Sequence, residues 1–108
     1  MPKGYELERM HLKSEDRVRP AIPKGARLVV LDERGRDYTT EEFAKLLQAP
    51  SAFVIGGADG LSTETKAAAD LLLRLSAMTL PHALAQLVLI EQIYRAATLL
   101  TGHPYHRK

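Results

Sequence analysis

A group of polar residues stands directly before the longest apolar run of the chain. The stretch "LSAMTLPHALAQLVLIEQIYRA", residues 75–96, places Ser76, Thr79 and His82 around Pro81. A helix that only fills a core needs no such start. Hydroxyls and an imidazole could bind a polar ligand here, and a histidine at a helix start is equally compatible with packing and hydrogen bonding. At this point both interpretations of His82 stay open.

The second group is the glycine-rich segment "IGGADG", residues 55–60. Its glycines allow a ligand to approach the backbone closely. The spacing differs from the dinucleotide-binding pattern G-x-G-x-x-G, because Ile55 stands where the first glycine would be, and no G-x-x-x-x-G-K-[ST] phosphate loop exists. Ligand contact and a simple tight turn between strand and helix are both consistent with this segment.

The third group is the C-terminal segment "HPYHRK", residues 103–108. Pro104 prevents a helix from aligning His103 with His106, and no cluster of carboxylates or cysteines completes a metal site, so no metal is predicted. A basic segment with an aromatic residue is compatible with contact to RNA or phosphate. A frayed terminus explains the same composition.

Composition excludes several classes of protein. The 108 residues are enough for a single domain spanning residues 1–108, and 45% hydrophobic and 26% charged residues are typical of a globular fold. The chain has no cysteine, which excludes disulfides, zinc-thiolate sites and a thiol nucleophile. The start "MPKGYELERM" lacks the apolar core of a signal peptide, and no uninterrupted apolar span suits a membrane. We therefore expect a cytoplasmic protein.

Short apolar runs alternate with helical patterns along the chain. The segment "RLVVL", residues 27–31, predicts a strand that ends in the turn "DERGRD". A helix follows, because Thr39 and Glu42 form the pattern of a capping box. The segment "AFVI", residues 52–55, predicts a second strand, and Ser62 is placed to cap a helix over "TETKAAADLLL".

The last predicted helix starts at Pro81 and runs to about Leu100. It is apolar on two faces, so it needs two surfaces to pack against. In so small a domain the sheet can cover one face, and a second copy of the chain can cover the other, which predicts a homodimer. One stripe consists of Ala83, Leu87, Ile90, Tyr94 and Ala97, and the other of Leu89, Ile93, Ala96 and Leu100.

The alternation of strands and helices predicts an α/β fold with an open, mostly parallel sheet and flanking helices. Ligands of such sheets bind beyond the carboxyl ends of the strands. Three segments are expected to meet there: Leu31 with Asp32, residues 56–60, and residues 76–82.

The segments "FVIGGADGLS", "LSAMTLPHALAQLVLIEQIYRA" and "HPYHRK" resemble the SPOUT-class ribosomal RNA large subunit methyltransferase H family. The resemblance runs from about Leu28 to Lys108, in order and with similar spacing. It implies methylation of N3 of a pseudouridine, position 1915 in a stem-loop of 23S ribosomal RNA, with S-adenosylmethionine as the methyl donor. It also implies a sheet whose C-terminal part is threaded into a trefoil knot, which periodicity alone would not predict.

The resemblance also assigns residues. The cofactor of this family is held in the knot, largely by backbone groups from three loops. In this sequence the matching positions are Leu31, Gly57, Ser76, Ala77, Met78, Thr79, Leu80 and Pro81.

The C-terminal segment carries the residues for catalysis and RNA contact that the resemblance suggests. His106 could accept the N3 proton, and Tyr105 could orient or stack on the target base. Arg107 and Lys108 would contact phosphate.

The chain departs from the family pattern mainly at its front. Family members usually begin with a further strand and helix, and we expect this sequence to lack that unit and to have an abbreviated segment between Ser14 and Gly25. Ala58 and Asp59 are tolerable variants of the family's glycine turn. Gly102 stands where some members have asparagine.

Two further functions stay open beside the methyltransferase. A shortened paralogue could bind RNA or the ribosome without catalysis, which the missing front unit would favour. An α/β module that binds another adenine nucleotide would also be consistent with a ligand cleft at the sheet edge.

Overall fold

The computed structural model describes residue 7, residues 17–56 and residues 61–102. Seven elements follow one another in this part of the chain: α1 (Val18–Ala21), β1 (Arg27–Asp37), α2 (Thr40–Leu46), β2 (Ser51–Val54), α3 (Thr63–Ala68), β3 (Leu71–Arg74) and α4 (His82–Thr101).

The sheet is parallel and has the order β2-β1-β3, which confirms the predicted α/β class and strand direction. β1 lies in the centre and pairs with β2 from Arg27 opposite Ser51 onwards. Its residues Val29 and Val30 have no exposed surface, as expected for a strand covered on both faces. Because β2 and β3 lie on opposite edges, the segments that follow them start two strand spacings apart, or about 10 Å.

The capping box of α2 forms as predicted. The Thr39 hydroxyl accepts a hydrogen bond from the Glu42 backbone N–H at 3.1 Å, and the Glu42 carboxylate accepts one from the Thr39 N–H at 2.9 Å. These bonds satisfy two backbone donors at the start of the helix. Phe43 and Ala44 then turn inward and are buried.

β1 is longer than predicted, so the proposed turn at "DERGRD" is wrong. Leu31 pairs with Leu73, and Arg36 pairs with the same residue, so residues 32–35 bulge out of the ladder before pairing resumes. A Cβ on Gly35 would lie 2.7 Å from the carbonyl carbon of Leu72. The bulged residues 32–35 therefore rejoin the sheet at Gly35, where any larger residue would require the backbone to shift.

The predicted extension of α3 through "DLLL" is also wrong. The helix ends at Ala68, and the leucines from Leu71 form β3. Asp70 stabilises the switch from helix to strand. Its N–H donates to the Leu28 carbonyl at 2.9 Å, and its carboxylate accepts from the Leu28 N–H at 2.8 Å. Leu73 is then carried into the core, where it is 3% exposed.

α4 begins one residue after the predicted start, with Pro81 at the N-cap position, and ends at Thr101, with Gly102 as a C-cap in the left-handed conformation. One of the two predicted stripes, the inner stripe, lies in the core: Leu89, Ile93 and Ala96 are buried, and Leu100 packs against them. The other, with Leu87 and Ala97, is the outer stripe. The outer stripe is mixed, since Leu87 is 64% exposed but Ala97 is fully buried.

α4 is also the one helix, among the described residues, that is long and apolar enough to cross a membrane by length and composition. Its mean hydropathy over the best window is 1.2. Glu91 and Arg95 form an ion pair on it, one turn apart, with a distance of 2.7 Å between Oε1 and a guanidinium nitrogen. With its inner stripe in the core, the helix has a structural reason to be apolar without any membrane.

Candidate cofactor site

The carboxyl edge of the sheet brings Gly56, which follows β2, and the start of α4 together. Nδ1 of His82 lies 2.6 Å from the carbonyl oxygen of Gly56. A carbonyl only accepts hydrogen bonds, so Nδ1 must carry the proton in this contact. Two of the three segments that the sequence predicted to meet are therefore in direct contact.

Residues 76–81 form the segment between β3 and α4, which we call the cofactor loop. The Ser76 hydroxyl accepts a hydrogen bond from the Met78 N–H at 3.0 Å and bends the loop locally. Ala77, Met78, Thr79 and Pro81 are exposed, and Met78 most of all, at 78%. These residues, including Thr79 with its hydroxyl, are thus accessible to a molecule that occupies this edge.

Leu31 and Asp32 lie at the same carboxyl edge, where β1 leaves its first run of pairing. Leu31 packs against the core cluster. The Asp32 side chain is only 10% exposed, and its Oδ1 lies 3.5 Å from Nζ of Lys66 on α3. This ion pair links Asp32, directly after the first paired run of β1, to α3.

The remaining predicted site residues lie outside the described part of the chain. These are Gly57 and the C-terminal residues Tyr105, His106, Arg107 and Lys108. Their assigned roles stay predictions. Within residue 7, residues 17–56 and residues 61–102, no group of three or more His, Cys, Asp or Glu side chains could hold a metal ion.

A second feature of this region was missed by the sequence reasoning. Arg74 donates two hydrogen bonds of 2.6 Å to the carboxylate of Asp37, at the point where β1 and β3 end together. These bonds and the charge of Arg74 hold the pKa of Asp37 below its usual value, and the carboxylate correspondingly raises the pKa of Arg74. The partners are 37 positions apart in the sequence, so no local pattern signals the pair.

Beside this pair lies a small open depression of about 100 Å³ between β3, α2 and α4. Tyr38, Phe43 and Arg74 line it together with residues of α4. Its size suits one or a few water molecules rather than a cofactor. The cofactor loop and the glycine-rich segment are therefore the better candidate site.

Comparison with known proteins decides the family. A family model described as "Predicted SPOUT methyltransferase" matches residues 2–106, nearly the whole sequence. The chain belongs to the SPOUT methyltransferase family. The predicted resemblance is thereby confirmed, and with it the prediction of a methyltransferase.

Curated relatives of this SPOUT methyltransferase carry a more specific name. This chain is 51% identical over 110 residues to "Ribosomal RNA large subunit methyltransferase H" of Burkholderia ambifaria (strain MC40-6). The alignment covers 96% of this chain and 70% of that relative. Relatives of the same name from Burkholderia vietnamiensis (strain G4 / LMG 22486) and Burkholderia multivorans (strain ATCC 17616 / 249) give the same identity and coverage.

Proposed function

We propose that this chain transfers a methyl group from S-adenosylmethionine to N3 of a pseudouridine in 23S ribosomal RNA. The observation that carries the proposal is 51% identity over 96% of the chain to proteins named for methylation of large-subunit ribosomal RNA. The contact between Gly56 and His82 supports it, because it joins two of the segments assigned to the cofactor.

The cofactor loop, residues 76–81, together with Leu31 and Gly57, is proposed to hold S-adenosylmethionine. The exposed residues of the loop, with Gly56 within hydrogen-bond distance of its end, are compatible with an adenosine-bearing ligand that is bound largely by main-chain groups. Bound S-adenosylmethionine would supply a methyl group that its sulfonium already activates for transfer. The residues of the site then have to align the two substrates and exclude water. As in the family it resembles, we propose that the C-terminal part of the chain forms a trefoil knot around this site.

Proton removal is the chemical step that the protein itself must provide. N3 of pseudouridine is a weakly acidic imide nitrogen, so its proton has to leave as the N–CH3 bond forms. We propose that the imidazole of His106 accepts this proton and that Tyr105 orients the base. Arg107 and Lys108 are assigned to phosphates of the RNA.

A homodimer through α4 completes the proposal. The outer surface of this helix exposes Leu84 at 44% and Leu87 at 64%, and Met78 of the cofactor loop is exposed beside them in sequence. Large exposed apolar side chains on one helix are typical of an interaction surface. A two-fold axis through α4 would bury the same surface on both copies.

The test is methyl transfer to ribosomes that lack the modification. Purified chain, labelled S-adenosylmethionine and ribosomes from a strain without its own enzyme of this kind should give labelled 23S RNA. A methyl on N3 occupies the pairing edge of the base, so reverse transcription should stop at the modified nucleotide. Transfer elsewhere, or a methyl that does not block pairing, would contradict the proposed nucleobase and atom.

The C-terminal segment offers a matched pair of variants. His106→Ala should lower the rate constant for methyl transfer by about 10²- to 10⁴-fold, the usual contribution of a general base. His103→Ala removes the same side chain three residues earlier and should have little effect. Equal rates for the two variants would refute the role of His106, and the methyltransferase assignment would stand.

A paralogue that would bind ribosomes without catalysis is the main alternative. It predicts ribosome binding with no label transferred. A module for another adenine nucleotide predicts that ATP competes with S-adenosylhomocysteine in a calorimetric titration, whereas the methyltransferase should bind S-adenosylhomocysteine selectively.

A further inference from the structure

We infer that His82 is a positioning residue of the cofactor site, whose Nδ1–H holds Gly56 against the end of the cofactor loop. The inference rests on the proposed function, because it assigns a role within that same site. His82 itself is not assigned to the cofactor or to the reacting atoms.

The first argument is topological. Gly56 follows β2 and the cofactor loop follows β3, and these strands lie on opposite edges of the three-stranded sheet. The two segments start about 10 Å apart, with the end of β1 between them. The loop must cross that end to reach Gly56, and the bond from His82, at 2.6 Å, lies where the crossing is complete.

The second argument is that the surrounding structure does not explain this histidine. His82 is exposed, so it contributes little apolar burial to the core. His82 is the first residue of α4, and an imidazole there does not stabilise the positive end of the helix dipole as a carboxylate would; the first turn of α4 contains no acidic residue. Its described interaction is the hydrogen bond to Gly56, 26 residues away.

The third argument is the position of both partners in the chain. Gly56 directly precedes Gly57, and His82 directly follows Pro81, so each partner adjoins a residue assigned to the cofactor. A bond between the two neighbours fixes the separation of the segments before the cofactor arrives. Pre-organisation of this kind reduces the cost of ordering on binding and so increases affinity.

Two substitutions separate this role from a stabilising one. In His82→Asn the side-chain amide nitrogen is bonded to Cγ, as Nδ1 is, so it can still donate to Gly56. In His82→Asp an oxygen replaces that nitrogen, which removes the donor and places a carboxylate against a carbonyl. The carboxylate favours the helix itself, because an acidic residue in the first turn stabilises α4.

The experiment is calorimetric titration of the full chain and both variants with S-adenosylhomocysteine, beside thermal unfolding of each. We expect His82→Asn to keep its affinity within about threefold of the unsubstituted chain. His82→Asp should bind about tenfold more weakly, which corresponds to about 1.4 kcal/mol and lies at the upper end for one hydrogen bond. It should nevertheless unfold at a temperature equal to or above that of His82→Asn.

Steady-state kinetics add an independent measurement. KM for S-adenosylmethionine should rise in His82→Asp, and kcat at saturation should be retained, because the lost contact is made equally in the ground state and the transition state. A fall in kcat at unchanged KM would overturn the positioning role.

The outcomes distinguish this inference from the function on which it rests. Equal affinity of the two variants, in a chain that binds S-adenosylhomocysteine, would overturn the role of His82 alone. Absence of binding by the unsubstituted chain would overturn the proposed function and this inference together. If His82→Asp does not fold, His82→Ala removes the donor without adding charge, and unchanged affinity in that variant would equally refute the inference.

Discussion

Truncation of Leu87 on the outer face of α4 should weaken the proposed dimer and leave the fold of each subunit intact. Leu87 is 64% exposed in the single chain, so its side chain adds little to the stability of that chain. Surface substitutions of this kind usually change the free energy of unfolding by no more than about 0.5 kcal/mol. The effect of Leu87→Ala should therefore appear in association rather than in unfolding.

The magnitude follows from the exposed area. Full burial of a leucine side chain contributes about 1.5–3 kcal/mol, and about two-thirds of that is still available at this position. A two-fold interface contains the residue twice. Because alanine keeps the β-carbon, we expect a loss of about 2–3 kcal/mol of association free energy, or roughly a 30- to 150-fold higher dissociation constant of the dimer.

Sedimentation equilibrium over a range of chain concentrations measures that constant directly. Glu64→Ala is the control, since Glu64 is exposed on a different helix, α3, and its substitution should leave the dimer unchanged. A dissociation constant that Leu87→Ala does not alter, in a chain that dimerises, would refute the assignment of α4 as the subunit contact. A chain that stays monomeric at every concentration would refute the dimer itself.

Two further predictions concern the C-terminal part of β1. Gly35→Ala should lower the free energy of unfolding by about 1–3 kcal/mol in urea titrations, because the new Cβ would press on the backbone of β3 at 2.7 Å; an unchanged midpoint would contradict the packing described. Arg74→Met should flatten the acid dependence of stability. Arg74 lowers the folded-state pKa of Asp37 below its ordinary value of 3.8, so the pair stabilises the fold above that value and loses this effect as the pH falls through the folded-state pKa. Urea midpoints of the variant and the unsubstituted chain should converge at low pH, and parallel curves would exclude the pair as the cause.

Local signals in the sequence were sufficient to predict the elements that are decided by interactions between neighbouring residues. The capping box of Thr39 and Glu42 has the predicted bonds, and Ser62 accepts from the Thr65 N–H at the start of α3 as a helix cap does. α4 was predicted almost to its observed bounds, because a long periodic run ended by glycine is a strong signal. In each case, the residues that decide the structure are near one another in sequence.

The errors fall where distant partners decide the structure. The leucines of β3 continue an alanine-rich helical pattern, and a short apolar run has no periodicity that separates helix from strand. Asp70 resolves the ambiguity through bonds to Leu28, 42 residues away. The return of β1 to the sheet at Arg36 likewise depends on a register with β3 that no local pattern specifies.

The candidate site was predictable in part. The prediction that residues 56–60 and 76–82 would meet followed from the rule for parallel sheets, and among the described residues the bond between Gly56 and His82 agrees with it. The identity of the cofactor did not follow from that rule, because a loop that binds through its backbone leaves few side-chain signals. Only resemblance to a family supplied it.

α4 joins the two proposed interfaces of the molecule in one rigid element. Leu87 lies five residues after His82, so the proposed subunit contact and the bond from His82 to Gly56 are separated by about 7.5 Å of continuous helix. A helix transmits a displacement at one point to the other with little loss. Occupancy of the cofactor site and association of the chains should therefore be thermodynamically linked. If dimerisation increases the affinity for the cofactor by some factor, the bound cofactor must increase the dimer association constant by the same factor.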